Sequence, residues 1–353
     1  MEVGIFSDLH IYRHLGLTQF EDIARDFLIY LFDCCKKRKI TTLFFLGDFF
    51  HVKNKLYVPS FVKAVDILRS IREAGIKIHF LIGNHDAPQM GTTDHSIMFA
   101  FEDYGEVISL YDWIELDDTR FHFLSYTKEL PAFQMSDEKK NVLLGHLDIN
   151  DFVMDTGFVC QEGFSQSNFD KFDLVLSGHF HKHQIKKNIV FVGSPYQTRF
   201  SERFDDKGFI ILDTKDLSWK FNFYKNAPVF KEIDIEDYNP EELKGNFVRI
   251  KTHKDNLDLS EIKNKLLEHG AETVDFIFEG ENEEKELTVI EDLNMGTMKE
   301  LASSYWDNIH NNKMFKKEIK ELVDNNIISK KDFMAEFEDI EEACLSGWKP
   351  EEE

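Results

Sequence analysis

The strongest constraint on this 353-residue chain is a series of five short polar motifs, each directly after a run of apolar or β-prone residues. They are, in order, Asp8-Leu9-His10, Gly47-Asp48, Gly83-Asn84-His85-Asp86, Gly145-His146 and Gly178-His179-Phe180-His181. Each apolar run predicts a β-strand, and binding sites in open α/β sheets form outside the carboxyl ends of the strands. We therefore expect the five motifs to converge on one site.

The side chains of these motifs offer only nitrogen and oxygen donors, which suits a divalent metal of intermediate hardness. Seven residues are candidate ligands: Asp8, His10, Asp48, Asn84, His146, His179 and His181. Two cations about 3.5–4 Å apart can clamp a phosphate, lower the pKa of a bound water and stabilise the attacking and leaving oxygens. The neutral oxygen of Asn84 would ligate without adding negative charge, so the site would keep its attraction for phosphate.

His85 remains as a non-ligand imidazole next to Asn84. A histidine with a near-neutral pKa can donate a proton to a leaving oxygen or stabilise charge on a phosphoryl group. Asp86 is predicted to orient His85 from behind. Taken singly, each motif also fits an ordinary turn or cap, but their joint occurrence in this order favours a metal site.

The five motifs resemble those of the calcineurin-like metallophosphoesterase superfamily, which read D-x-H, G-D, G-N-H-D/E, G-H and G-H-x-H. The resemblance covers roughly residues 1–228. Within the superfamily the chain most resembles the SbcD-type DNA double-strand-break repair nucleases, especially the recombination endonuclease subunits of T4-like bacteriophages. This narrower resemblance depends on His51, on the segment Val192-Gly193-Ser194-Pro195 and on the order of the C-terminal domains.

The resemblance implies a division of the ligands between two metals. One metal would take Asp8, His10, Asp48 and His181, and the other Asp48, Asn84, His146 and His179, with Asp48 as the bridge. His85 would be the catalytic histidine, and His51 would lie by the substrate phosphate; an ordinary loop histidine is the alternative for His51. Manganese is the usual activating ion of this family, whereas the donor set by itself also fits Mg, Fe or Zn.

The order of the predicted elements indicates an α/β fold. Strands and helices alternate up to about residue 105, which is typical of β-α-β crossovers and a parallel sheet. Short strands then dominate, including Gly208–Leu212, and these fit a second sheet packed on the first. The resemblance makes this a four-layer α/β/β/α metallophosphoesterase sandwich. The long stretch Asp151–Ser167 is predicted to form a rim of the active site.

The length of the chain predicts more than one domain. We assign residues 1–228 to a nuclease domain, 229–280 to a small α+β capping domain, 281–296 to an acidic linker, 297–345 to a helical region and 346–353 to a tail. The strand-like run Trp219–Tyr224 is predicted to lead out of the first domain. In the resembled family the capping domain touches DNA; a purely structural addition is the alternative here.

The helical region carries apolar residues at helical spacing, including Met298, Leu301, Tyr305, Phe333, Phe337 and Ile340. Short helices cannot bury such faces alone, so they fold back on the cap or dock on a partner. The resemblance favours docking on a coiled-coil ABC ATPase of the SbcC kind and implies a homodimer built through N-terminal-domain helices. The chain has no Gly-x4-Gly-Lys-Ser/Thr motif, so the partner would supply any ATP-driven step.

The net charge of −23 lies mostly in the C-terminal third. Residues 1–228 hold 32 acidic and 26 basic residues, and residues 229–353 hold 33 and 16. No strong basic stripe is present, so we expect modest intrinsic DNA affinity, with a partner supplying most of it.

The sequence also predicts where the protein acts. It has no apolar run of the ~20 residues needed to span a membrane, and there is no room for a signal peptide before Asp8. The spacing of the four cysteines matches no disulfide framework. We therefore expect a cytoplasmic protein (host cytoplasm if phage-encoded).

The sequence thus predicts a two-metal-dependent DNA exonuclease and single-strand endonuclease, the nuclease subunit of an SbcCD-like repair and recombination complex. Two alternatives are a small-molecule or protein phosphoesterase on the same fold and a non-catalytic scaffold with a relic metal site. The cap and the helical region argue against the first. Retention of all seven ligands together with His85 argues against the second.

Overall fold

The computed structural model describes residues 1–11, 18–51, 58–87, 95–236, 239–252 and 259–278. These residues belong to the compact unit Met1–Ile277, apart from Phe278 at its edge. The predicted linker 281–296, helical region 297–345 and tail 346–353 lie outside the described residues. The predicted boundary between residues 228 and 229 stays a prediction.

The described residues form fifteen strands and four α-helices. The strands are β1 (Glu2–Phe6), β2 (Thr42–Phe45), β3 (Lys77–Leu81), β4 (Glu106–Ile108), β5 (Tyr111–Leu116), β6 (Thr119–Leu124), β7 (Lys140–His146), β8 (Leu174–Gly178), β9 (Gln184–Lys186), β10 (Ile189–Phe191), β11 (Gly208–Asp213), β12 (Trp219–Phe223), β13 (Phe230–Asp234), β14 (Phe247–Thr252) and β15 (Thr273–Phe278). The helices are α1 (Thr18–Arg38), α2 (Val58–Glu73), α3 (Pro240–Leu243) and α4 (Leu259–Glu268).

Two six-stranded sheets make up most of the structure. The first has the order β12-β11-β1-β2-β3-β4, in which β1 to β4 are parallel. The second has the order β5-β6-β7-β8-β10-β9, in which β6, β7, β8 and β10 are parallel and the two edge strands are antiparallel. Parallel strands place their carboxyl ends at one edge of a sheet, so each sheet presents several strand-to-loop turns side by side.

Three apolar cores define the layers of the fold. Between the sheets, Val3 and Ile5 of β1 pack with residues of the second sheet such as Val142. The next residue of β1, Phe6, faces the opposite way and packs with α1 and α2, as the two-residue period of a strand requires. The outer face of the second sheet is covered by residues of the segment 147–172, which includes the 3₁₀-helix Gln166–Phe169. The predicted α/β fold with two packed sheets is confirmed.

The placement of β11 and β12 differs from the prediction. The sequence places Gly208–Leu212 in the second sheet and lets Trp219–Tyr224 lead out of the domain. In the structure, β11 pairs antiparallel with β1 in the first sheet, and β12 pairs with β11. An antiparallel strand needs no crossover helix, and its apolar side chains alternate in the same way in either sheet. The sequence pattern therefore does not show which sheet a returning strand joins.

A small third sheet, in the order β13-β14-β15, follows in the chain. Its own core includes Val248, Ile250, Leu266 of α4 and Val274. Phe230 and Phe247 at its near end pack instead into the core beneath the first sheet. The small sheet therefore rests directly on the two-sheet body.

Candidate metal centre

The carboxyl ends of five strands bring the seven predicted ligands together. The residues that follow β1, β2 and β3 in the first sheet meet those at the ends of β7 and β8 in the second. The side chains of Asn84 and His179 are half-buried and the other five are buried. Nine non-glycine residues in the described part of the chain have a positive φ, and four of them are predicted ligands: Asp8 (55°), His10 (45°), Asp48 (61°) and His179 (94°). Such conformations persist where the surroundings impose them, and they cluster at functional sites.

The first cluster consists of Asp8, His10 and His181. One donor atom from each lies within 4.8 Å of the others. Nε2 of His10 is 2.8 Å from Nε2 of His181. Two imidazole nitrogens that face each other at this distance share at most one hydrogen, so the cluster is rich in lone pairs.

The second cluster consists of Asp48, His146 and His179, again with donor atoms within 4.8 Å of one another. Oδ1 of Asn84 lies 3.0 Å from Nε2 of His146 and 3.0 Å from Nδ1 of His179. Asp48 stands between the clusters: its Oδ2 is 3.5 Å from Nε2 of His10, and its Oδ1 is 3.5 Å from Nε2 of His146. Both clusters can therefore be reached by one carboxylate.

The hydrogen bonds of the histidine rings fit a metal. The outer nitrogen of each of three rings is hydrogen-bonded to an oxygen: Nδ1 of His146 to the Leu46 carbonyl (2.6 Å), Nδ1 of His181 to Glu202 (2.9 Å) and Nε2 of His179 to Asp148 (2.6 Å). In a neutral ring the other nitrogen then carries the lone pair, and it faces the clusters. Such hydrogen bonds fix the tautomer of metal-binding histidines in proteins generally. The donor set and its orientation thus fit two divalent cations.

The electrostatics of the clusters also favour cations. Burial raises the pKa of Asp8. Burial acts to lower the pKa of His146, but the carboxylates of Asp48 and Asp8 raise it to about 9. Burial likewise acts to raise the pKa of Asp48, yet His146 and His85 hold it below its usual range. The buried carboxylates thus favour protonated imidazole rings. A bound divalent cation would supply the positive charge instead, and the rings would then stay neutral.

Asp86 has a different role from the predicted one. Its buried carboxylate accepts hydrogen bonds from the N–H groups of Asp48 (2.7 Å), Phe49 (2.8 Å), Phe50 (3.1 Å) and Gly83 (3.0 Å). It therefore holds the turn that carries Asp48 rather than orienting His85. The turn is closely packed as well, because a Cβ on Gly83 would lie 2.0 Å from Oδ1 of Asp48. Only glycine fits at that position.

His51 and His85 lie beside the first cluster. Their rings stack with centroids 4.9 Å apart and an interplanar angle of 17°. Nδ1 of His51 is 3.2 Å from Nδ1 of His10, and Nδ1 of His85 is 2.7 Å from the carbonyl oxygen of His51. Since a carbonyl only accepts, Nδ1 of His85 carries a proton, and Nε2 is the nitrogen through which the neutral ring can take up another. The oxygen that orients His85 thus belongs to the main chain of His51.

The sequence analysis missed Asp148, Asp155 and Glu202. Besides the bonds of Asp148 and Glu202 to the histidines, Asp155 Oδ1 accepts a hydrogen bond from the N–H of His181 (2.8 Å). Asp155 belongs to the predicted rim Asp151–Ser167, which thereby reaches the first cluster. The only local signal for any of them is that Asp148 follows His146 by two residues, which places both at the end of β7.

Comparison with known proteins identifies the family. The sequence model of the calcineurin-like phosphoesterases matches residues 1–183, more than half of the chain, and the chain therefore belongs to this family. Its fold implies divalent metal ions, and its chemistry is phosphoester hydrolysis. The roles of the individual residues stay predictions.

Two curated relatives have nuclease or DNA-repair names. The chain is 25% identical over 230 residues to Exonuclease subunit 1 of Enterobacteria phage T4, covering 59% of this chain and 64% of that protein. It is 25% identical over 261 residues to the DNA double-strand break repair protein Mre11 of Methanocaldococcus jannaschii, covering 64% and 68%. The match to the phage protein thus spans less than two thirds of its length.

Among solved structures, a dimetal phosphatase from Danio rerio is 10% identical, covers 60% of this chain and 91% of that one, and has a TM-score of 0.39. At that TM-score the likeness supports no inference about function. Among the described helices of this chain, none combines the length and apolar character needed to cross a membrane.

Proposed function

We propose that the protein is a two-metal-dependent DNA nuclease, with exonuclease and single-strand endonuclease activity, that works as the nuclease subunit of an SbcCD-like complex. The observation that carries the proposal is the pair of adjoining donor clusters around Asp48, with His51 and His85 beside them. The names of the phage T4 and Methanocaldococcus relatives support DNA as the substrate.

In this proposal Asp8, His10, Asp48 and His181 would hold one cation, such as Mn²⁺, and Asp48, Asn84, His146 and His179 would hold a second. When bound, the cations would polarise the phosphate and activate water at neutral pH. His85 would act as the imidazolium: after Nε2 has taken up a proton from solvent, it delivers that proton to the leaving oxygen, while its Nδ1–H stays bound to the His51 carbonyl. Asp86 keeps Asp48 in place by holding its turn.

The assembly is the second part of the proposal. The helical region 297–345 would dock on an SbcC-like ATPase with a coiled coil, and the first domain would form a homodimer. The acidic net charge supports a partner that supplies most of the DNA affinity, because phosphate contacts come mainly from Lys and Arg. Contact between the small third sheet and DNA is part of the same proposal.

A substrate panel tests the proposal. The full chain, with Mn²⁺ or Mg²⁺ and with or without the ATPase, is assayed on blunt, recessed and single-stranded DNA, on bis-p-nitrophenyl phosphate and on a phosphopeptide. We expect metal-dependent cleavage of DNA and of the small diester, abolished by EDTA. Release of phosphate from the phosphopeptide with intact DNA would indicate a phosphatase. Two bound cations with no hydrolysis of any substrate would indicate a scaffold.

The imidazole of His51 is predicted to act on the DNA phosphate. His51→Ala removes the ring but keeps the main-chain carbonyl that orients His85. We therefore expect two Mn²⁺ bound at saturating metal, as in the wild type, and a loss of DNA cleavage of roughly 100-fold, in the range of a positioned acid–base or charge-stabilising group. Hydrolysis of bis-p-nitrophenyl phosphate should fall much less. Equal losses on both substrates would indicate a general catalytic role, and no loss on either would make His51 an ordinary loop residue.

The C-terminal helices are predicted to bind the ATPase rather than to stabilise the nuclease. Residues Met1–Ile277 form a compact unit of their own, so removal of residues 291–353 should leave a folded, metal-binding chain that hydrolyses the small diester. It should no longer co-purify with the ATPase. Phe337→Asp should weaken the complex by burying a charge in an apolar groove, whereas Lys331→Asp should not. Full ATPase binding by the truncated chain would refute docking.

A further inference from the structure

Two of the predicted ligands, His179 and His181, are each backed by a carboxylate outside the five motifs. Asp148 Oδ1 lies 2.6 Å from Nε2 of His179, and Glu202 Oε1 lies 2.9 Å from Nδ1 of His181. We propose that Asp148 and Glu202 are positioning residues, each of which sets the affinity of one of the two cations by holding one histidine. The inference rests on the proposed assignment of both histidines as ligands.

Glu202 is held without freedom to turn. It is 1% exposed, and besides the His181 ring it accepts hydrogen bonds from the N–H of Thr198 (2.8 Å) and the hydroxyl of Thr198 (2.6 Å). The ammonium of Lys207 lies 3.0 Å from its other oxygen, Oε2. A buried carboxylate with this many donors has one orientation, so the ring that it binds is fixed as well.

The same network fixes the main chain of His181. Lys207, 6% exposed, donates to the carbonyl oxygen of His181 (2.9 Å) and to the hydroxyl of Ser194 (2.8 Å). His181 is therefore held at its imidazole through Glu202 and at its backbone through Lys207. A side chain held at both ends presents Nε2 in one direction.

Glu202 and Lys207 belong to the segment 193–207, which also reaches the opposite side of the first cluster. The hydroxyl of the buried Tyr196 donates to the carbonyl oxygen of Leu9. Leu9 lies between Asp8 and His10, so this bond fixes the turn that carries two more predicted ligands. One segment thus braces all three residues of the first cluster.

A third metal is a poor explanation for the carboxylates behind His181. Donor atoms of Asp155, His181 and Glu202 do lie within 4.8 Å of one another. However, Lys207 pairs with Glu202, and the guanidinium of Arg199 lies 3.6 Å from both carboxylates. Side-chain cations already balance this group, which suits it to hold an imidazole rather than an ion.

Asp148 braces the second cluster in a more open setting. Its side chain is 17% exposed, its partner Lys128 (2.6 Å) is 55% exposed, and the Tyr126 hydroxyl donates to it at 3.2 Å. Water screens such a pair more than a buried one. Loss of Glu202 would also leave the buried Lys207 without its carboxylate. We therefore expect the larger effect from Glu202.

Titration of Mn²⁺ into the metal-free full-length chain, followed by calorimetry, tests the inference. Substitution of a residue that is hydrogen-bonded to a metal-binding histidine typically reduces the affinity for the metal about 10–100-fold. We expect Glu202→Gln to weaken one of two binding steps by that factor and Asp148→Asn to weaken the other by a factor near its lower end. The double variant should weaken both. Glu115→Gln is the control. Glu115 lies on β5, its carboxylate pairs with Arg120 and Lys139, and its substitution should change neither binding step.

Selectivity between the two steps separates positioning from a merely structural role. Equal weakening of both steps by Glu202→Gln, or no change in either, overturns the inference. If Glu202→Gln does not fold, as judged by thermal unfolding without metal, Thr198→Val removes only one donor to Glu202. Thr198→Val should weaken the same binding step as Glu202→Gln, by about threefold to tenfold, at or below the lower end of the effects expected from losing a partner of a metal-binding histidine. An unchanged Mn²⁺ titration of Thr198→Val overturns the inference.

The outcome is independent of the nuclease assay. A wild-type chain that binds two Mn²⁺ and cleaves no DNA refutes the proposed function and leaves the positioning roles intact. A chain that cleaves DNA while its Glu202→Gln and Asp148→Asn variants bind Mn²⁺ as the wild type does refutes the positioning roles alone.

Discussion

Asp48→Asn is expected to lower DNA cleavage by at least roughly 1,000-fold and to leave fewer than two Mn²⁺ bound per chain, because the charge stabilisation by the cation pair is lost. Asp48 offers Oδ2 to the first cluster and Oδ1 to the second. A neutral amide keeps the size of the side chain but presents one oxygen instead of two. Asparagine also tolerates the left-handed backbone of this residue, φ 61°, so the turn should persist.

Metal content and cleavage are measured on the same preparation. Asp117→Asn is the matched control, since Asp117 has a similar backbone conformation, φ 52°, and its carboxylate bonds to the N-terminus and Thr214 rather than to a predicted ligand. It should keep both cations and full activity. An Asp48→Asn chain that still binds two Mn²⁺ with wild-type affinity would show that the cations do not share this carboxylate.

The convergence of the seven candidate ligands was predictable because each residue is signalled locally. A run of apolar, β-prone residues followed by a polar turn marks a strand end, and parallel strands bring such ends to one edge. Asp8 and Asp48 lie 40 positions apart in the chain, yet both follow neighbouring strands of the first sheet. Their convergence therefore follows from the order of the strands and requires no knowledge of side-chain contacts.

The hydrogen-bond partners of these candidate ligands were not predictable, because they depend on contacts between residues distant in the chain. Glu202 meets His181 across 21 residues, at the end of the short 3₁₀-helix Phe200–Glu202, which no strand or α-helix pattern in the sequence places. Asp86 illustrates the converse error. Its position next to His85 suggests a pair, but three N–H groups of the Asp48 turn and that of Gly83 bind its carboxylate instead. Neighbours in sequence at a tight turn point in different directions.

The fold was predictable to the level of its layers. Runs of apolar, β-prone residues placed the strands, and helices between the first three strands required them to be parallel. The assignment of β11 to the first sheet was not predictable, since the pattern of an antiparallel strand is the same whichever sheet it joins. That detail matters for the site, because β11 anchors the end of the segment 193–207 that braces the first cluster.

The division between ligands and the acid–base group predicts that His85→Ala lowers DNA cleavage by about 10²–10⁴-fold, the usual contribution of a positioned general acid. Residue 85 contributes to the frame of the site through its backbone N–H, which donates to Oδ1 of Asp48 at 2.8 Å. Alanine keeps that bond and removes only the imidazole. Both Mn²⁺ binding steps should therefore match those of the wild type, in contrast to Asp48→Asn.

The leaving group provides the sharper readout for His85. The oxygen that leaves a DNA phosphodiester is strongly basic and needs a proton, whereas p-nitrophenolate is stable without one. Hydrolysis of bis-p-nitrophenyl phosphate by His85→Ala should therefore fall far less than cleavage of DNA. The ring of His10 lies next to that of His85 and is a predicted ligand. His10→Ala should therefore reduce both activities together, because a cation is lost. If His85→Ala instead loses Mn²⁺ as Asp48→Asn does, His85 is a ligand and the proton must come from another group.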